Sequence, residues 1–132
     1  MSLVSYSQPK DNFSIRLHKK VLLEQAGPVN SNGPQVLIKK SLLKKKGLVT
    51  IQYKQAQKNQ GWERIFQFTD EDNTIQLQKG FAFAEGTYGF NTLEILSLLE
   101  KNKKILIYTY QQPTDDLLSG LRIERYLLCE LV

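Results

Sequence analysis

The chain has 132 residues, of which 41% are hydrophobic and 23% charged, and it carries a formal net charge of +5. A chain of this size and makeup can close one core without disulfides or metals, so a single domain is expected over residues 1–132. Its apolar runs are only a few residues long, which excludes a membrane-spanning helix.

Charge is unevenly placed along the chain. Residues 1–54 hold 10 Lys and Arg against 2 acids, whereas residues 55–132 hold 8 against 11. That split points to an anionic partner for the first half, with a solvated basic face as the plain alternative. The start Met1-Ser2-Leu3-Val4 has no basic or apolar leader region. It fits either a cytoplasmic protein or a trimmed leader replaced by a short start at residues 1–3. Scarce cysteine and a β-rich, Gln/Asn/Thr/Tyr-bearing makeup lean toward an exported or envelope location.

Residues 1–11, with Pro9 and Asp11, read as an irregular lead-in. Phe13, Ile15 and Leu17 then alternate with Ser14 and Arg16, as in a half-buried strand. Beyond His18-Lys19-Lys20 the apolar set resumes at Val21, Leu22 and Leu23. The strand either bends there or folds back in a tight hairpin, and the turn lacks the Gly or Asn that would decide it. Residues 26–34 contain Gly27-Pro28 and Gly33-Pro34 and form a loop. A short strand is predicted over 35–39, followed by a lysine-rich connection closed by Gly47; an amphipathic helix is the competing reading.

Val49, Ile51 and Tyr53 share one parity in residues 48–54, and Trp62, Phe66 and Phe68 do so in residues 62–69. The polar loop between them predicts an antiparallel pair. Residues 70–73 make a turn, after which Ile75, Leu77, Phe81 and Phe83 keep one parity. That pattern predicts a strand through Gly80 with a bulge there. Residues 84–90, with two glycines and two aromatics, read as a loop.

Asn91 and Glu94 form a capping-box pattern ahead of Leu93, Ile95, Leu96, Leu98 and Leu99, predicting a helix over about 91–101. Asn102 suits a left-handed end for it. Three turns are too few to stand alone, so the helix packs on the sheet and covers one open end. Finally, residues 105–110 and 121–132 flank a polar break at 113–116 and predict a strand pair. The last strand is apolar on both parities, which places it centrally. The whole reads as mainly β: an antiparallel two-sheet sandwich or flattened barrel of about eight strands with one short helix.

No catalytic constellation accompanies this pattern. His18 sits beside lysines in a turn, and with one His and one Cys a zinc site cannot be assembled. Cys129, inside an apolar strand, reads as a buried packing residue. Glu63, Glu85, Glu124 and Glu130 are scattered rather than paired for acid–base work. The acidic turns at 70–73 and 115–116 lack an EF-hand's length and distal acid, so no metal is expected. The glycines of 80–89 lack a following Lys-Ser or Lys-Thr, so no nucleotide cofactor is expected.

Two stretches remain as binding candidates. Lys39, Lys40, Lys44, Lys45 and Lys46 suit an acidic protein or an anionic polymer. Residues 35–47 contain no aromatic on which bases could stack, which weakens a nucleic-acid-binding barrel as the alternative. Phe81, Phe83, Tyr88 and Phe90 are the candidate lining for a flat ligand such as a sugar ring, the third reading being a small-ligand carrier or enzyme. The preferred expectation is a soluble, non-catalytic β module that recognises its partner through the basic first half.

Overall fold

A computed structural model describes residues 12–18, 20–26, 37–44, 47–54, 62–83, 85–113 and 125–132. The chain runs through β1 (Asn12–Leu17), β2 (Lys20–Ala26), β3 (Leu37–Ile38), β4 (Leu48–Lys54), β5 (Trp62–Thr69) and β6 (Ile75–Phe81). It continues through β7 (Gly86–Asn91), helix α1 (Thr92–Lys101), β8 (Ile105–Pro113) and β9 (Tyr126–Leu131), with a 3₁₀ turn at Lys40–Leu43. The described strands form two open sheets, ordered β2-β1-β4-β7 and β3-β9-β8-β5-β6. This is the expected mainly β, two-sheet arrangement with one helix; neither sheet closes on itself, which removes the flattened barrel.

Period-two alternation sets which faces meet. Phe13, Ile15 and Leu17 of β1, Val49, Ile51 and Tyr53 of β4, and Tyr88 and Phe90 of β7 point into the core. Phe66 and Phe68 of β5, Ile107 of β8, and Cys129 and Leu131 of β9 meet them from the other sheet. Burial of these side chains, roughly 1.5–3 kcal/mol for each large one, is the main force holding the sheets together.

Several sequence expectations need correction. β4 and β5 do not pair: β4 lies between β1 and β7, whereas β5 lies between β8 and β6. Their apolar faces oppose one another across the core, an arrangement that local alternation permits equally well. Residues 86–91 form a paired strand rather than a loop, with Tyr88 opposite Ile51 and Phe90 opposite Val49. One pair is parallel, β3 on β9, through Leu37 with Glu130 and Ile38 with Leu131.

The choice between bend and hairpin after Leu17 is decided for the hairpin. Leu17 pairs with Lys20, and His18 takes the left-handed φ of 50° that a two-residue turn requires. The bulge expected at Gly80 lies instead between Phe68 and Thr69. Gly80 stays in register opposite Ile65, and a Cβ there would come within 3.0 Å of the Ile65 Cδ1.

β9 is apolar on both parities for a different reason from central placement. The register jumps from Ile107–Cys129 to Tyr108–Leu127, leaving Leu128 as an extra residue. A bulge of this kind turns consecutive side chains to one side, and Leu128 and Cys129 both enter the core. β9 itself sits one place from the sheet edge, flanked by the two-residue β3.

Helix α1 carries the chain from β7 in one sheet to β8 in the other. Asn91 caps it, its Oδ1 accepting the Leu93 N–H at 2.9 Å. Ile95 and Leu99 enter the core, and Leu96 and Leu98 pack against it, but Leu93 is exposed, unlike the expected apolar side. Asn102 ends the helix in an extended conformation (φ −132°, ψ 141°), not a left-handed one; its backbone N–H and its Nδ2 both donate to the Leu98 carbonyl. At the start of the helix, the Thr92 N–H donates to the Gly47 carbonyl at 3.0 Å, tying α1 to the chain leaving the 3₁₀ turn.

Candidate functional site

The 3₁₀ turn crosses from β3 in one sheet to β4 in the other beside α1, and it is anchored at both ends. Before it, the Lys40 N–H donates to the Val132 carbonyl and the Val132 N–H to the Ile38 carbonyl. After it, the Gly47 N–H donates to Thr92 Oγ1 at 3.0 Å. Leu43 is fully buried beneath the turn. The lysines therefore ride on a fixed segment: Lys39 and Lys44 are exposed and Lys40 is half-buried. Lys45 and Lys46 lie outside the described residues.

Neighbouring elements bring more cations to this end. A Cβ on Gly47 would come within 2.1 Å of the His18 Nδ1, so the hairpin turn of β1 and β2, with exposed Lys20, rests against Gly47. Lys101 and Lys103, at the close of α1, are exposed as well. The acids Glu94 and Glu130 are engaged by Lys79 at 3.1 Å and Lys104 at 3.0 Å. Among the described residues Lys39, Lys40 and Lys44 make no ion pair.

The aromatic candidates sit elsewhere and play different parts. Tyr88 and Phe90 are core residues, 1% and 2% exposed. Phe81 packs against them at ring-centroid distances of 4.8 and 6.1 Å, and Phe66 at 5.0 and 5.1 Å. The rings meet edge to face or tilted inside the core, with no face left open to a flat ligand at Tyr88 and Phe90. Phe83 is 54% exposed and stacks on Tyr88 at 5.7 Å, while its carbonyl accepts the Tyr88 hydroxyl at 2.8 Å.

Beside this group lies a residue that sequence reasoning missed. Arg64 is 1% exposed, its Cζ lies 3.8 Å from the Tyr53 ring centroid, and its Nη1 donates to Thr109 Oγ1 at 3.3 Å. The signal was its parity: Arg64 shares the inward face of β5 with Phe66 and Phe68. Burial pushes the Tyr88 hydroxyl up to about 12, against the opposing pull of the Arg64 charge. An ionised phenol is thereby disfavoured, and the cluster is a polar brace between sheets rather than an acid–base pair.

The remaining candidates do not converge. Glu63 accepts from Gln112 on the outer face of β5 and β8, Glu130 pairs with Lys104, and Glu124 lies outside the described residues. Asp70 Oδ1 accepts the N–H groups of Asp72 and Thr74, both at 2.9 Å, and its Oδ2 accepts from Gln76, so its own turn engages both oxygens. Residues 115–116 are outside the described set. Among the described residues no three His, Cys, Asp or Glu side chains gather as a metal site, and no helix is long and apolar enough to cross a membrane. Cys129 is fully buried, and burial pushes its thiol up to about 12, reinforced by Glu130.

Comparison with protein families, curated proteins and solved structures finds no match. The reading of function therefore rests on the surface itself.

Proposed function

We propose that the chain is a non-catalytic binding module that takes an anionic partner at its helix-bearing end. The observation that carries this is the 3₁₀ turn, on which Lys39, Lys40 and Lys44 make no ion pair among the described residues. Fixing cations on an anchored segment lowers the ordering cost of binding and leaves their field directed outward. The turn also joins the two sheets, so the charges stand on the rigid part of the molecule.

Retention on an immobilised polyanion such as heparin tests the reading. The triple variant Lys39→Ser/Lys40→Ser/Lys44→Ser should elute at clearly lower salt than the parent, because charge attraction at an exposed surface is screened by ions. Equal elution of the two proteins would refute it.

A further inference from the structure

We infer that the anionic partner is a lipid surface, which three leucines at the same end enter while the lysines meet its head groups. This inference rests on the preceding reading that the lysine-bearing end takes an anion. Leu42, Leu48 and Leu93 are 47%, 53% and 46% exposed, although each neighbours a buried residue in sequence: Leu43, Val49 and Thr92. They belong to three elements, the 3₁₀ turn, the start of β4 and the first turn of α1. The hydrogen bonds between Gly47 and Thr92 bring those elements together. Leu48 and Leu93 directly follow the two bonded residues, Leu48 pairs with Asn91, and Leu42 lies on the turn that delivers the chain to Gly47.

Single exposed leucines are ordinary, but half-exposed leucines grouped beside lysines that make no ion pair among the described residues are the pattern of an interfacial surface. Apolar insertion and attraction to anionic head groups then act in concert, each lysine near the surface adding to the other contacts. Leucines carried by three separate elements suit a bilayer, which accepts apolar side chains without a matching shape. An acidic protein would need a complementary surface of standard interface size.

Co-sedimentation of the full chain with phosphatidylcholine vesicles, with and without phosphatidylserine, tests this alongside heparin retention. The parent should sediment with the phosphatidylserine vesicles alone. Leu42→Ser/Leu48→Ser/Leu93→Ser should weaken that partitioning on the order of tenfold or more, given the apolar area each leucine presents, and leave heparin elution unchanged. A second variant, Leu93→Cys, carries a polarity-sensitive dye selectively because Cys129 is buried, and its emission should shift blue on anionic vesicles. Heparin retention without vesicle binding would overturn the lipid assignment and leave the anionic-partner reading standing. Loss of both would overturn both. Vesicle binding with no leucine dependence and no dye shift would overturn the insertion of these side chains.

Discussion

Replacing Arg64 separates what its charge contributes from what its volume contributes. The guanidinium lies over the Tyr53 ring at 3.8 Å and donates to Thr109, in a position 1% exposed. A desolvated cation–π contact is worth about 2 kcal/mol, and a charge-assisted hydrogen bond about 1.5–3 kcal/mol. Against these stands a desolvation penalty of several kcal/mol for a buried ion. The opposing terms are of similar size, so Arg64→Met, which keeps the stem's packing, should shift stability by no more than about 1.5 kcal/mol in either direction. Thr109 would still donate to the Ile65 carbonyl at 2.9 Å and Tyr88 to the Phe83 carbonyl at 2.8 Å. Arg64→Ala empties the same space between the sheets and should cost about 3 kcal/mol more than the methionine variant. Urea denaturation of both variants, with matched slopes, measures the difference. Equal losses for Met and Ala would refute the reasoning, since they would show the charge itself to be the stabilising feature.

Alkaline titration gives a second check. Cys129 and Tyr88 have ordinary pKa values of 9.0 and 10.0 and are each raised to about 12 in the folded chain. Above those ordinary values the unfolded state loses protons that the folded state keeps, so stability is full below pH 9 and falls toward pH 12, by about 1.4 kcal/mol per pH unit for each group. Cys129→Ala should move the onset of the fall to near pH 10 in thermal melts; an unchanged profile would show that the thiol plays no part. Gly86 has φ of 153°, and a Cβ there would come within 3.0 Å of the Phe83 ring. Gly86→Ala should therefore cost about 1–2 kcal/mol by chemical denaturation, and a neutral result would mean that the chain relaxes into ordinary extended geometry. Asn91→Ala removes the acceptor of the Leu93 N–H and should cost about 1 kcal/mol, whereas Asn91→Asp should restore it. Equal stability of all three proteins would deny the cap a role.

Where a signal was local, the residues carried it. Val49, Ile51 and Tyr53 announce β4, and Asn91 announces the start of α1. What pairs with what is not local. β4 and β5 are consecutive and both alternate, yet they belong to different sheets, because alternation fixes the face a strand buries and leaves its neighbours open. Two glycines hid β7, although Tyr88 and Phe90 already stood at the spacing of a strand. Gly89 faces outward near Leu48, where a side chain is not needed for packing. The Leu128 bulge mimicked two-sided burial, since one extra residue reverses the parity of everything after it. The candidate site was half legible. The lysine run is plain in the sequence, but the exposure of Leu42 and Leu93 depends on where the 3₁₀ turn and α1 come to rest. Leu93 was expected on the apolar side of α1, whereas the alternation of β4 already turned Leu48 away from Val49, Ile51 and Tyr53.

The placement of Lys79 has a consequence for how copies of this chain meet. β6 is the outer strand of its sheet, and Lys79 sits on its inward-facing parity, 5.9 Å from the Phe90 ring centroid and paired with Glu94 of α1. A strand from another molecule that docked along β6 would extend the sheet over that ammonium and strip it of water. Open-ended stacking is thus penalised along β6, the longer border of the five-stranded sheet among the described residues. Crowding such molecules onto a two-dimensional support would raise their local concentration without inviting them to fuse into fibrils.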